Sequence, residues 1–210
     1  MWSNLPLARP LPPLSQPRIL AFDIETVAAG FADPAWVPQK IICVSWSWVG
    51  SDKIETRACC GPKEAMGVGL YGPQAKEKRW HMLNPLLAAI EQADVVTGHY
   101  IKGFDLSVIN AEAMRLGLTP IYECSYIDTI DLVRSKGFKK GLDNLGVLLG
   151  CRTKKQAMDW QEWDDAYDVS GIPEVITRCE SDVQLQKEIR EKLLERGWIG
   201  SRPKVWKGRK

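Results

Sequence analysis

The sequence has few of the features that mark a membrane protein or a secreted protein. No apolar run reaches the ~18–20 residues that a membrane-spanning helix needs, and the N-terminus lacks the charged and apolar regions of a signal peptide. The six cysteines include no C-x-x-C pair, and with only two histidines a zinc site is poorly supported. We therefore expect a cytoplasmic protein with reduced, mostly buried thiols.

An excess of one charge is also missing, since the net charge is only +2 over 210 residues. The basic residues are nevertheless unevenly placed. Residues 198–210 contain five lysines and arginines, two tryptophans and no acid. Such a basic C-terminal tail suits contact with phosphates and bases, and it equally suits a disordered solubilising end. Residues 1–17 form a proline-rich N-terminal arm, which we expect to be extended.

Residues 18–197 can bury one sizeable core and form one domain. Alternating apolar residues predict strands at 18–26, 40–49 and 53–60. The rest of the domain is predicted to contain a helix at 78–92, a strand at 94–98, a helix at 105–116, a strand leading into a helix at 124–132, and helices at 141–150 and 172–196. Three consecutive strands followed by alternating helices and strands predict a mixed α/β sheet with helices packed on it.

The strand segment AFDIET (21–26) carries two acids two residues apart. Because side chains alternate along a strand, Asp23 and Glu25 point to one face, and Phe22 and Ile24 point to the other. Two carboxylates held this close repel by roughly 4 kcal/mol at an effective dielectric constant of about 20. A bound cation would offset this repulsion.

Two further acids, Asp105 and Asp182, are either ligands of a functional site or ordinary structural residues. Asp105 follows a strand and opens a helix, where it can serve as a helix cap or lie where α/β sheets collect ligands. Asp182 falls within an apolar stripe of the last helix, although Gln186 shares that stripe and a surface position is the alternative. Carboxylates that converge from separate elements match Mg²⁺ or Mn²⁺.

Three segments resemble the motifs of a known family. FDIET (22–26), GHYIKGFD (98–105) and CESDV (179–183) are similar to the three exonuclease motifs of the DEDD superfamily of 3′–5′ exonucleases, which includes polymerase proofreading domains and ribonuclease-D-like enzymes. DTIDL (128–132) and KGLDNLGVLLG (140–150) resemble the segment between the second and third motifs. The resemblance covers about residues 18–196. It implies a ribonuclease-H-like fold: a mixed five-stranded sheet, with three antiparallel strands and then two parallel ones, flanked by helices.

The resemblance also implies a mechanism. Asp23, Glu25 and Asp182 would hold one divalent cation, and Asp23 would hold a second with water-mediated support from Asp105. The expected reaction is hydrolysis at single-stranded 3′ ends, of DNA rather than RNA, with release of nucleoside 5′-monophosphates. The proline-rich arm would dock a replication or repair partner, and in a bacterial or viral source the protein would associate with the nucleoid. The alternative is a catalytically weak or inactive module that binds 3′ ends.

Several positions depart from the family pattern or have an open role. Arg178 and Thr177 stand where the family places a tyrosine or a histidine that acts on the attacking water. Because Arg178 stays protonated, it is not a general base; it either binds a phosphate or forms an ion pair with Asp182. Tyr100 replaces a frequent asparagine, and it either stacks on a base, supplies a hydroxyl or simply packs. The remaining candidates for substrate binding are Thr26, His99 and Phe104, with loop positioning as the alternative for His99 and packing for Phe104.

Overall fold

The structure is a computed structural model, and it describes residues 16–27, 40–59, 73–133, 137, 139–159, 162–163, 172–199 and 202–208. The strands are β1 (Ile19–Val27), β2 (Lys40–Trp48), β3 (Glu55–Ala58), β4 (Val95–Gly98), β5 (Glu123–Asp128) and β6 (Lys204–Lys207). The helices are α1 (Pro73–Glu91), α2 (Asp105–Leu116), α3 (Thr129–Val133), α4 (Leu142–Leu149) and α5 (Ile172–Glu195).

The strands form one mixed sheet in the order β3-β2-β1-β4-β5-β6. The first three strands are antiparallel, β4 runs parallel to β1, and β5 runs parallel to β4. This arrangement confirms the predicted ribonuclease-H-like fold. The structure adds a sixth strand, β6, which lies within the predicted basic tail and pairs antiparallel with β5.

The two faces of β1 have different neighbours, as the alternation of its side chains predicts. Leu20, Phe22 and Ile24 are buried in the main apolar core, which also contains Leu83 of α1 and Leu106 of α2. Complete burial of one such side chain contributes about 1.5–3 kcal/mol to folding. The apolar half of β1 therefore fixes the strand in the centre of the sheet and turns its acids to the opposite face.

The opposite face of the sheet is covered by α5, which packs on β1 and β2. One part of this contact joins Ile42 and Cys43 of β2 to Val175 and Cys179 of α5. Farther along α5, a second apolar cluster joins α5 to α3 and α4 through Val133, Leu142, Leu145, Leu149, Leu185, Ile189 and Leu193. The middle of α5 is thereby held over the acidic face of β1.

Some predicted boundaries differ from the observed ones. Helix α1 begins at Pro73, five residues before the predicted start, because the first turn of a helix tolerates a proline that has no N–H to donate. Strand β3 is shorter than predicted. The predicted arm lies almost entirely outside the described residues, and its role stays a prediction. Within the described residues, no helix is long and apolar enough to cross a lipid bilayer.

Candidate metal centre

Asp23 and Glu25 lie where β1 extends beyond its parallel neighbour. Pairing between β1 and β4 ends at Ala21, whereas pairing with β2 continues to the end of β1. The register between β1 and β2 shifts just after Glu25, and such irregularities re-aim side chains at the edges of sites. The two acids thus project from a central strand at the point where the sheet opens.

Asp182 of α5 completes a compact group of three carboxylates. One oxygen from each of Asp23, Glu25 and Asp182 lies within 4.8 Å of the others, a spacing at which one cation can bind all three. The side chain of Asp182 is nearly fully buried, at 2% exposure, so the surface alternative for this residue does not hold.

Asp105 lies beside this group as the first residue of α2 and is 5% exposed. Backbone N–H groups of Asp105 itself and of Ile24, the residue between Asp23 and Glu25, lower the pKa of its carboxyl group and so oppose part of the effect of burial. It makes no side-chain cap at the N-cap position of α2, which is Phe104. Asp105 is therefore the first residue of α2 and not its N-cap, and its buried carboxylate lies beside the end of β1.

The pKa values of all four acids are raised. Burial raises the pKa of Asp23 well above its usual range, and the charges of Asp105, Glu25 and Asp182 add to this shift. Burial likewise raises the pKa of Asp105, to about 7. Burial also raises the pKa values of Glu25 and Asp182, although nearby basic residues oppose both shifts. A group of this kind favours protonation or the binding of a cation.

Two basic side chains pair with the acids. The Nζ of Lys155 forms an ion pair with Oδ2 of Asp182, and the Nε of Arg178 donates to Oε1 of Glu25 at 2.8 Å. Arg178 thus pairs with Glu25 rather than with Asp182, the partner that helical spacing suggests. It is held further by a 2.6 Å hydrogen bond from Nη1 to the carbonyl oxygen of Gln156 and by the ring of Trp163, 5.4 Å from the guanidinium carbon.

Two buried oxygen atoms at the site have no hydrogen-bond partner among the described residues: Oδ1 of Asp182 and Oε1 of Gln186. The Nε2 of Gln186 donates to Oδ1 of Asp23 at 2.8 Å, so this side chain holds Asp23 from the α5 side. A buried acceptor without a donor is costly unless a cation or water satisfies it. The donor set of carboxylate oxygens and an unpaired Asp182 oxygen therefore fits a hard divalent cation.

The loop after β4 is fixed by Asp128, at the end of β5. Its Oδ1 accepts from the backbone N–H of Tyr100 at 2.7 Å, and its Oδ2 accepts from that of Lys102 at 3.1 Å. Tyr100 has a φ of 70°, the only positive φ of a non-glycine residue in the described part of the chain. Such a conformation costs about 1–3 kcal/mol and persists where surrounding contacts hold it.

The other residues predicted to bind substrate, His99, Phe104 and Thr26, all contact other parts of the protein. The Nδ1 of His99 lies 2.9 Å from Oγ1 of Thr129, and its Nε2 lies 2.6 Å from the carbonyl oxygen of Lys140, so both ring nitrogens have protein partners. These contacts support the loop-positioning alternative. Phe104 is partly buried against the main core, as its packing alternative requires. Thr26 pairs with Ile41 across β1 and β2.

Sequence reasoning missed Lys155, Asp128 and the function of Gln186. Lys155 lies in an irregular segment where no periodicity points to a site. Gln186 follows Asp182 by one helical turn, which was a usable signal, because side chains four residues apart share a helix face.

The fold is similar to that of a much larger protein of known structure. The family B DNA polymerase from the hyperthermophilic archaeon Pyrobaculum calidifontis superposes with a TM-score of 0.63 at 17% sequence identity. The match covers 85% of this chain and 25% of the polymerase, so the chain corresponds to a quarter of that protein. At this identity the likeness concerns the fold alone. No protein-family model matches the sequence, and no curated protein matches it.

Proposed function

We propose that the protein is a metal-dependent 3′–5′ exonuclease that hydrolyses single-stranded ends, of DNA rather than RNA, and releases nucleoside 5′-monophosphates. The observation that carries this proposal is the convergence of Asp23, Glu25 and Asp182 within 4.8 Å, with Asp105 beside them. The likeness of the fold to a DNA polymerase supports a nucleic-acid substrate. The three sequence motifs that resemble those of DEDD exonucleases contain these same four acids.

Two divalent cations, Mg²⁺ or Mn²⁺, are the proposed cofactors. Bound in the acidic group, they would lower the pKa of a water molecule and stabilise the negative charge of the departing 3′ oxygen. Asp23, Glu25 and Asp182 would hold one cation, and Asp23 and Asp105 the other. Gln186 would keep the Asp23 carboxylate in place through its hydrogen bond to Oδ1. Each acid must lose its proton to bind a cation, so cation binding releases protons.

Arg178 occupies the position from which related enzymes act on the attacking water, and it cannot accept a proton there. Released from Glu25, its guanidinium would stabilise negative charge on the phosphate in the transition state. The ammonium group of Lys155, which is paired with Asp182, would stabilise the same negative charge on the phosphate. We therefore expect weak to moderate hydrolysis, because a water whose pKa is lowered by bound cations would not require a side-chain base.

A second function is favoured by the same two ion pairs. Arg178 and Lys155 neutralise Glu25 and Asp182 without any metal, so the acidic group is compatible with a folded protein that binds 3′ ends and does not cut them. This binding module differs from the enzyme only in turnover. A single experiment separates the two.

The experiment incubates the protein with single-stranded oligonucleotides labelled at either end, in Mg²⁺, Mn²⁺ or EDTA. The enzyme is expected to shorten the 5′-labelled strand stepwise and to release labelled mononucleotide from the 3′-labelled strand at once, with neither reaction in EDTA. Asp23→Ala is expected to abolish hydrolysis, because Asp23 is the residue that would hold both cations. Asp143→Ala is the matched control, because Asp143 is an exposed acid on α4 outside the site.

Retention of the oligonucleotide without shortening in either metal would contradict the enzyme and support the binding module. Shortening that Asp23→Ala leaves unchanged would place the activity elsewhere. A parallel RNA oligonucleotide checks the preference for DNA, and faster cleavage of RNA would reverse that part of the proposal.

A further inference from the structure

We infer that four exposed lysines around the acidic group bind the phosphate backbone of a single strand of DNA as its 3′ end enters the site. This inference rests on the proposed function and adds the surface that receives the substrate. The four residues, here called the lysine rim, are Lys102, Lys139, Lys140 and Lys154.

Hydrogen bonds of the backbone place the two segments that carry three of these lysines next to each other. Lys102 belongs to the loop after β4, and its backbone N–H donates to Asp128. His99, at the start of the same loop, approaches the carbonyl oxygen of Lys140 to 2.6 Å with its Nε2. The segment containing Lys139 and Lys140 therefore lies against the loop that carries Lys102.

The fourth lysine follows α4 in the chain. Lys154 immediately precedes Lys155, whose ammonium pairs with Asp182 in the acidic group. Burial lowers the pKa of His99, and the nearby charge of Lys155 acts in the same direction, so these two side chains are close enough to interact. Helix α4, eight residues and about 12 Å long, joins the two halves of the rim.

The rim offers positive charge that other described residues do not neutralise. All four side chains are exposed, and none forms an ion pair with another described residue. The lysines of β6 differ, because Lys204 lies 2.9 Å from Asp131 and Lys207 lies 3.7 Å from Glu123. Positive charge that can bind the phosphates of a DNA strand is therefore greater on the lysine rim than on β6, where the lysines are paired with acids.

Tyr100 adds an aromatic face to this charged surface. Its side chain is 47% exposed although its backbone is strained and pinned by Asp128. The ring also packs over Gly103, where an added Cβ would lie 2.4 Å from two of its atoms. A fixed, exposed ring among lysines suits a single strand, because bases stack on aromatic side chains while phosphates contact ammonium groups.

The test measures the binding of a 5′-fluorescein-labelled dT oligonucleotide by fluorescence anisotropy in EDTA, which stops hydrolysis. A quadruple variant with glutamine in place of Lys102, Lys139, Lys140 and Lys154 is compared with the wild type over a range of salt concentrations. The matched control replaces four other exposed lysines with glutamine, with the same change in net charge: Lys53, Lys76, Lys78 and Lys207.

The rim variant is expected to bind about tenfold more weakly or worse. The magnitude of its slope of log K against log salt should fall by up to about 3, since each phosphate contact on a single strand contributes about 0.7. The control should keep a slope close to that of the wild type. Equal slopes for the two quadruple variants would overturn the inference. The four single lysine-to-glutamine variants provide the same comparison if the quadruple variant does not fold.

Failure of this inference differs in its signature from failure of the proposed function. If the protein shortens the oligonucleotide in a metal-dependent reaction but the rim variant keeps the salt slope of the wild type, DNA binding by the rim is wrong and the exonuclease proposal stands. Rim-dependent binding without any shortening would refute the exonuclease and retain the rim. Tyr100→Ala adds a readout of stacking, and we expect it to weaken binding without changing the salt slope.

Discussion

The acidic residues of the candidate site coexist because residues of the same chain offset their repulsion in several ways. Arg178 and Lys155 supply positive charge, Gln186 donates a hydrogen bond, and a raised pKa lets Asp105 keep its proton near neutral pH. The sequence indicated that something must compensate for Asp23 and Glu25. It could not identify Lys155, because only folding brings this lysine, 27 residues before Asp182 in the chain, into contact with that acid.

The contact between Arg178 and Glu25 yields a prediction for metal affinity. Because the guanidinium and a divalent cation compete for the same carboxylate, Arg178→Gln is expected to bind Mn²⁺ more tightly, by about tenfold or 1.4 kcal/mol. The measurement is the electron paramagnetic resonance signal of free Mn²⁺ during titration of the protein.

Arg57→Gln serves as the control, since Arg57 is exposed on β3 and contacts none of the site acids by ion pair. Unchanged or weaker Mn²⁺ binding by Arg178→Gln would mean that the cation and the guanidinium use different oxygens of Glu25, or that Arg178 supports the site instead of competing for it.

Among the structural elements, the junction of β4 with α2 decides the shape of the site. Gly98 ends β4 so close to its neighbours that an added Cβ would lie 3.1 Å from the carbonyl oxygen of Phe22 and 3.2 Å from Oε1 of Gln186. The strand thus stops against β1 and α5, and the chain turns through Tyr100 into α2. The sequence predicted this strand-to-helix crossing. The pinning of the crossing by Asp128, from a different strand, was not predictable from local patterns.

Asp128→Asn is expected to destabilise this junction. The carboxylate accepts backbone N–H groups from Tyr100, Lys102 and Ile130, and an amide nitrogen cannot accept one of them. Because one partly buried backbone N–H then loses its charged acceptor, the free energy of unfolding should fall by about 1–3 kcal/mol. Urea unfolding measures the loss, and hydrogen exchange should show faster exchange at residues 100–104.

Asp143→Asn is the control for this experiment, because Asp143 is exposed and its side chain bonds only to the next backbone N–H among the described residues. A stability loss of equal size in both variants would show that the carboxylate of Asp128 has no special part in holding the loop.

In the molecule as a whole, the largest apolar core and the candidate site lie on opposite faces of the sheet. One face carries the large apolar core with α1 and α2, and it also contains the buried ion pair between Arg79 and Glu112, with Nε and Oε1 2.7 Å apart. The other face carries α5 and the acidic group. Apolar clusters on both faces hold the sheet and α5 without using the four acids, so substitutions in the acids are expected to leave the fold intact.

Stability of the whole protein should depend on pH through Asp105. Its pKa is about 7 in the folded protein and near 3.8 when unperturbed, so the folded state binds more protons between these values. Stability from this group is therefore present at low pH and declines as the pH rises toward about 7. Relative to the wild type, Asp105→Asn should gain about 2–3 kcal/mol of stability between about pH 5 and about pH 8 in EDTA.

Chemical unfolding at several pH values checks this expectation, with Asp143→Asn again as the control. A constant stability difference between Asp105→Asn and the wild type across the pH range would show that Asp105 titrates as an ordinary carboxyl group.

The sequence by itself determined the elements at the centre of the sheet, the two faces of β1 and the positions of the four acids along the chain. These features follow from local periodicity, because alternation and helical spacing depend only on neighbouring residues. Only the tertiary structure decided that Arg178 pairs with Glu25 and that Lys155 pairs with Asp182. It also decided that Asp128 binds the backbone of Tyr100 and that β6 joins the sheet as an edge strand beside β5. Each of these contacts joins segments far apart in the chain, and their partners are chosen by the packing of the whole core rather than by any local pattern.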